Sequence, residues 1–378
     1  MRRDTEGSEI LIYFNCDYTE GCHPNILKRL CETNMMQTVG YGEDEICDLA
    51  RAKIRKACGR EDVDVHFLVG GTQTNATVIA AILRPHQGAL SADTGHINVH
   101  ETGAVEATGH KVLPLPSTPD GKITAEQVEN AYLAHVNDAS FEHMVQPKLV
   151  YISLPTENGG LYSKAELTAL HDVCTRCGLY LFVDGARLGY GLTASENDVA
   201  LADLCALSDV FYIGGTKVGA LFGEAVVITN PALKTDFRYH IKQRGGMLAK
   251  GRLLGIQFDE LFTDDLYFKI SEKSRAAGKA HCKSVRRRGL RVLCPLADEP
   301  AVPHFPGYCA RKARGKVQVF LLGARGRNTQ RRPPLYKLGD DGQKRGRTLQ
   351  RHCVRHGRIT PDCGFLPRLE EENPYEVI

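Results

Sequence analysis

Short apolar runs of strand length alternate with stretches of helical period over residues 1–285, and this alternation limits the fold more than any other feature of the chain. The clearest runs are VHFLV (65–69), LVYIS (149–153), LYLFVD (179–184), VFYIG (210–214) and EAVVIT (224–229). They are rich in Val, Ile, Leu and Tyr, which suits extended backbone. Between them, ITAEQVENAYLAHV (123–136) places Val128, Ala131, Tyr132 and Val136 on one helical face. SKAELTALHDVCTRCG (163–178) opens with Ser163 and Glu166 at capping-box spacing and closes on Gly178. The expectation is an α/β fold, a mainly parallel sheet covered by helices on both faces.

Composition removes several other classes. Hydrophobic residues at 42% and charged residues at 25% match ordinary globular usage, which excludes disorder and collagen. No run approaches the length of about 18 apolar residues that a membrane span needs. The opening MRRDTEGSEILIYF has acidic residues where a secretory signal needs an apolar core, so a cytoplasmic address is expected. The 13 cysteines form no framework and would stay reduced there. The net charge of +3 hides a break: residues 1–285 carry −8, residues 286–358 carry +15 and residues 359–378 carry −4.

In sheets of this kind ligands bind beyond the carboxyl ends of the strands, and four of the loops there are chemically loaded. After VHFLV, Gly70-Gly71-Thr72-Gln73-Thr74-Asn75 leads straight into an apolar helix. Glycines and hydroxyls at a helix start can hold phosphate on free N–H groups, or can form a plain capped turn. LYLFV ends in Asp184, with Arg187 three residues on. That carboxylate can face a buried cationic nitrogen or cap the next helix. After VFYIG comes Gly214-Gly215-Thr216-Lys217-Val218-Gly219. A lysine hemmed in by glycines suits an amine of lowered pKa that condenses with an aldehyde; the alternative is an exposed loop lysine. His96, in Asp93-Thr94-Gly95-His96, is either a stacking ring or a structural histidine. His96 and His100 have metal-ligand spacing without a third ligand, so no metal is expected. Cys174-x-x-Cys177 has redox spacing but sits late in a helix, where no redox role is expected.

In that order, a phosphate cradle, a histidine, a strand-end carboxylate and a loop lysine are what pyridoxal 5′-phosphate requires. The chain resembles the low-specificity L-threonine aldolases of the aromatic amino acid beta-eliminating lyase group. The segments that carry the resemblance are CDYTEGCHPNIL (16–27), GYGEDE (40–45), GGTQTNA (70–76), SADTGHINVHETGA (91–104), VDGARLG (183–189), GGTKVGALFGEA (214–225) and RYHIKQRGGMLAKGRLLG (238–255). The resemblance implies an aspartate-aminotransferase-like fold: a large cofactor-binding domain over 1–255, a linking helix over 256–285 and a C-terminal small domain. It implies that Lys217 holds the cofactor aldehyde, Asp184 pairs with the pyridine nitrogen and His96 stacks on the ring. Gly71 and Thr72 would hold the phosphate, and Arg187 would lie near the cofactor and the substrate carboxylate. Tyr41 would reach across a subunit boundary of a homodimer or homotetramer. Asp17, Thr156, Glu157 and Arg244 are weaker helper candidates.

The reaction so implied splits a β-hydroxy-α-amino acid such as L-threonine or L-allo-threonine into glycine and an aldehyde, with His96 or a water it orders taking the hydroxyl proton. The alternatives are β-elimination or transamination on the same scaffold, or an inactive remnant. The resemblance stops near residue 285. Residues 286–378 show neither periodicity nor the carboxylate-binding arginine of the family's small domain. Aromatic residues are not interleaved with the basic ones there, so nucleic acid is not an expected partner. Read one base later under permitted codons, LADEPAVPHF (296–305) yields SPTNQQFPI. GARGRNTQRRPPLYKLGDD (323–341) likewise yields GRVDETHSVVRLCTSWATT, which has an arginine overlapping the codon of Pro333. Both strings resemble what the family carries there, so a one-base frameshift beginning at about residues 280–288 is expected to have replaced the small domain.

Overall fold

The computed structural model describes residues 10–14, 16–287, 308–313 and 316–321. The chain divides into 1–325 and 326–378, and the second part lies outside the described residues. In order, the elements are β1 (Ile10–Phe14), α1 (Pro24–Glu32), α2 (Glu45–Cys58), β2 (Asp64–Leu68), α3 (Gly71–Ile82), β3 (Gln87–Ala92), α4 (His96–Val99) and β4 (Lys111–Leu115). Next come α5 (Ala125–Val136), β5 (Gln146–Ser153), α6 (Lys164–Cys177), β6 (Tyr180–Asp184), α7 (Leu188–Leu192), α8 (Leu201–Leu207), β7 (Val210–Gly214) and β8 (Glu224–Ile228). The last are α9 (Phe237–Gln243), α10 (Arg252–Leu261), α11 (Leu266–Arg287), β9 (Tyr308–Ala313) and β10 (Lys316–Leu321).

Local chemistry sets the helix boundaries. In α2 the Asp44 side chain accepts from the Cys47 N–H at 3.0 Å, and Gly59, at φ 67°, ends the helix. Capping boxes open α5 (Thr124 with Gln127) and α6 (Ser163 with Glu166), the second as its spacing predicts.

The main sheet has the order β2-β8-β7-β6-β5-β3-β4. Pairing is parallel from β4 through β3, β5 and β6 to β7, while β8 runs antiparallel to both its neighbours. The sheet is therefore mainly parallel. Its strands are apolar throughout because each face packs a separate core. In β5, Val150 and Ile152 face one core and Leu149 and Tyr151 the other; in β7, Phe211 and Ile213 oppose Val210 and Tyr212.

Two differences from the sequence reading have local causes. Residues 256–285 form no single linking helix: Asp264 and Asp265 adopt left-handed backbone (φ 50° and 56°), so α10 stops before α11 begins. Within 286–378, read as lacking periodicity, β9 and β10 pair antiparallel with each other, and β9 pairs with β1. KVQVFL carries a short alternation that the surrounding basic residues obscure. The shifted segments at 296–305 and 323–341 lie outside the described residues. No helix among the described residues is long and apolar enough to cross a membrane.

Candidate active site

Two glycines bring the loaded loops together. A Cβ on Gly185 would meet the Tyr212 carbonyl oxygen at 1.9 Å, and one on Gly214 would meet the Ala186 carbonyl oxygen at 2.3 Å. Without them the ends of β6 and β7 could not close, and the Gly214 N–H donates to the Gly185 carbonyl at 2.9 Å. The turns bearing Asp184 and Lys217 thus pack back to back. The Lys217 turn is pinned further by the Tyr190 hydroxyl, which donates to the Lys217 carbonyl at 2.5 Å. Gly71, Thr72, His96, Asp184, Arg187 and Lys217 all line one cavity of about 270 Å³.

Asp184 is buried and receives four donors. The Tyr151 hydroxyl (2.5 Å) and Asn75 Nδ2 (3.2 Å) donate to Oδ2; the Tyr212 hydroxyl (2.5 Å) and the Ala186 N–H (2.9 Å) donate to Oδ1. That count fills a carboxylate's lone pairs. Asn75 Nδ2 also donates to Glu101 Oε1 at 2.7 Å, and Glu101 Oε1 lies 2.8 Å from His96 Nδ1. His96 is tied a second way, its backbone N–H donating to Glu157 Oε1 at 2.9 Å. Burial pulls the His96 imidazole down, but the Glu101 hydrogen bond and the Asp184 and Glu101 charges outweigh it and raise its pKa. Burial raises the Glu157 carboxyl above its usual range.

Burial and the charge of Arg187 lower the Lys217 amine from its ordinary value, which favours the free base needed for attack on a carbonyl. Arg187 itself is held bidentately by Asp17, with Nε to Oδ2 at 2.6 Å and Nη2 to Oδ1 at 3.1 Å. The first turn of α3 carries no side-chain cap, and its Gly70, Gly71 and Thr72 face the cavity. Free amides, glycines that let an oxyanion come close and a positive helix end form an anion cradle.

The helper candidates divide. Asp17 and Glu157 contact Arg187 and His96 as described. Thr156 closes a turn, donating to the Asp120 carbonyl and accepting from the Gly160 N–H. The Arg244 guanidinium meets Gln243 rather than the cavity. Tyr41, half-exposed at φ 62°, lies under Lys242 (4.6 Å to the ring centroid), away from the cavity in this chain. Cys174 is buried, and burial pushes its thiol up, away from a reactive thiolate. Among the described residues no three His, Cys, Asp or Glu side chains converge to hold a metal. Sequence reasoning missed Asn75, Glu101, Tyr151, Tyr212 and Glu224. Asn75, Glu101 and Glu224 lie in quoted segments without having been given a role, while Tyr151 and Tyr212 sit at strand positions that look like core.

Proteins with this architecture are already known. The Thermus thermophilus aspartate aminotransferase aligns with a TM-score of 0.58 over 78% of this chain and 74% of its own, at 14% identity, which establishes the fold class alone. A profile of the beta-eliminating lyases matches residues 16–310. The low specificity L-threonine aldolase of Pseudomonas aeruginosa is 29% identical over 324 residues, 83% of this chain and 90% of that protein. The threonine aldolase structure from Leishmania major reaches 44% identity and a TM-score of 0.71, covering 78% of this chain and 82% of that one. The chain belongs to the beta-eliminating lyase family. The threonine aldolase and aminotransferase-like members of this group depend on pyridoxal 5′-phosphate.

Proposed function

We propose that the chain holds pyridoxal 5′-phosphate on Lys217 and cleaves the Cα–Cβ bond of L-threonine, L-allo-threonine or a related β-hydroxy-α-amino acid, releasing glycine and an aldehyde. The observation that carries this reading is the convergence of Lys217, Asp184, His96 and the uncapped α3 N-terminus on one cavity. The donor set fits the cofactor: the amine for its aldehyde, Asp184 for its pyridine nitrogen, Gly71 and Thr72 for its phosphate. A ring nitrogen at Asp184 would displace the weakest of the four donors, Asn75 at 3.2 Å, which keeps its bond to Glu101. When bound, the cofactor supplies an electron sink for the pair left on Cα.

The protein's own groups do the rest. Glu101 fixes His96 through Nδ1, which leaves Nε2 to take the substrate's β-hydroxyl proton as the Cα–Cβ bond breaks. The aldehyde departs, and a proton delivered to Cα completes glycine. Asp17 orients Arg187, whose remaining guanidinium edge would meet the substrate carboxylate. The relatives' names favour aldolase chemistry over β-elimination or transamination. The assay is product analysis with L-threonine: glycine and acetaldehyde are expected, whereas a 2-oxo acid and ammonia would point to β-elimination.

Three wider readings belong with this one. The catalytic part would be residues 1–255, with the carboxyl-terminal region displaced by a frameshift, as the codon reading suggests. A homodimer or homotetramer would form across the apolar hollow of about 910 Å³ lined by Val39, Tyr41, Tyr239 and Met247. Tyr239 and Val39 are 76% and 67% exposed, which is costly to leave in water. Free cysteines such as Cys47, Cys58 and Cys205 suit a reducing, cytoplasmic compartment.

A further inference from the structure

One carboxyl group in the cavity has no part in the chemistry above. Glu224 opens β8 and is buried. The sheet register sets it opposite Leu68 on one side and Gly214 on the other. It therefore stands between the Gly70–Gly71 turn at the α3 N-terminus and the turn that carries Lys217, at the end of the cavity where an anion would lie. Its Oε2 accepts from the Gly215 N–H at 3.1 Å, and its Oε1 lies 2.9 Å from the Thr216 hydroxyl. An ionised carboxylate beside a bound phosphate would repel it, so the placement calls for an explanation.

The hydrogen-bond inventory of Thr216 supplies one. Its hydroxyl oxygen accepts from the Gly223 N–H at 3.0 Å and has a single proton to give, for which Glu224 Oε1 is the near acceptor and the Gly223 carbonyl, at 3.5 Å, a weak one. If Glu224 is ionised, that proton goes to Oε1. If Glu224 is protonated, the carboxylic acid donates to the Thr216 oxygen and the threonine proton is free to turn into the cavity that Thr216 lines. We propose that Glu224 acts as a carboxylic acid that aims the Thr216 hydroxyl at the cofactor phosphate, so that phosphate binding takes up a proton at Glu224. Glu224 is on this view a positioning residue, acting through Thr216. The inference rests on the pyridoxal phosphate reading above.

The surroundings support the protonated form. Burial pushes the Glu224 carboxyl up to about 8, against the opposing pull of its hydrogen bond to Thr216 and of the Lys217 charge, with Asp184 adding to the rise. The other titratable groups acting on it are Tyr212 from β7 and Tyr267 from α11. The contacts of the 215–223 turn with β2 and α10 come from Leu68, Leu254, Gln257 and Phe258, none of which titrates.

The test is the affinity of the full chain for pyridoxal 5′-phosphate, compared between wild type and Glu224→Gln. An amide in place of the acid donates to Thr216 at every pH, and the Glu224 charge it removes, which also raises the Lys217 amine, acts through that amine on pyridoxal 5′-phosphate and pyridoxal alike. Wild-type affinity relative to E224Q is expected to fall by up to about tenfold per pH unit above about pH 8. The same comparison with pyridoxal, which lacks the phosphate, carries only the Lys217 part and is expected to show a clearly shallower fall. Equal slopes in the two proteins, or the same slope with pyridoxal, would overturn the inference and leave the cofactor assignment standing. Failure of the wild type to bind the cofactor at any pH would overturn both, whereas a folded E224Q that fails to bind while the wild type binds would overturn the inference alone. Should E224Q not fold, Thr216→Val is expected to bind the cofactor more weakly near neutral pH and to lose the alkaline fall; a retained fall would refute the relay.

Discussion

His96 is held by its partners, Glu101 at its ring and Glu157 at its backbone. The carboxylate of Glu101 raises the imidazole's pKa, so the base form needed to accept a proton is lost as pH falls through that raised value. Glu101→Gln should lower the imidazole pKa, seen directly by NMR, and move the acidic limb of the activity profile to lower pH. It should also cut turnover by roughly tenfold through lost orientation. An unchanged imidazole pKa in E101Q would show that Glu101 serves packing alone. Tyr212→Phe removes one of two phenol donors to Asp184 and should cost about 1–3 kcal/mol of stability, measured by denaturant unfolding, because a buried acceptor loses its partner. Lys217, Asp184 and His96 were legible in the chain because each stands at a strand end among glycines or polar residues, where a core side chain would not be placed. Asn75 and Tyr212 were not. Their letters fit an ordinary helix and an ordinary strand, and only the packing of α3 against β6 and β7 aims them at one carboxylate.

The helices and strands carried most of their own instructions. The α5 and α6 boundaries follow from capping boxes that satisfy otherwise orphaned amides; the α6 box was visible as Ser163 with Glu166, whereas Thr124 with Gln127 in α5 was not singled out. The antiparallel turn of β8 was less visible, since a buried strand reads as the same apolar run in either direction. So was the break between α10 and α11, which depends on two aspartates taking left-handed backbone. Packing between elements makes its own prediction. At the crossing of α2 and α10, a Cβ on Gly255 would stand 2.5 Å from Cys47 Sγ and 2.9 Å from its Cα. Gly255→Ala should therefore destabilise the fold by roughly 1–3 kcal/mol despite the higher helix propensity of alanine, read as a lower denaturant midpoint. A gain in stability would mean that the two helices separate easily.

For the whole molecule, assembly and frame bear on activity together. If the hollow around Val39, Tyr41 and Tyr239 is covered by a second copy, Tyr239→Glu should shift sedimentation toward the monomer, while a monomeric wild type would remove the assembly. If the proposed frameshift is real, the shifted frame supplies a family-like arginine that the sequence itself does not show. A version corrected by one base should turn over L-threonine faster, and equal rates would argue against the frameshift. Neither property could be taken from periodicity: assembly depends on an exposed surface, and a change of frame erases the pattern it displaces. Everything in the proposed chemistry rests on one covalent attachment. The full chain incubated with pyridoxal 5′-phosphate, reduced with borohydride, digested and mapped by mass spectrometry should carry the cofactor on Lys217. A label on another lysine, or none at all, would contradict Lys217 as the anchor and the lyase chemistry built on it.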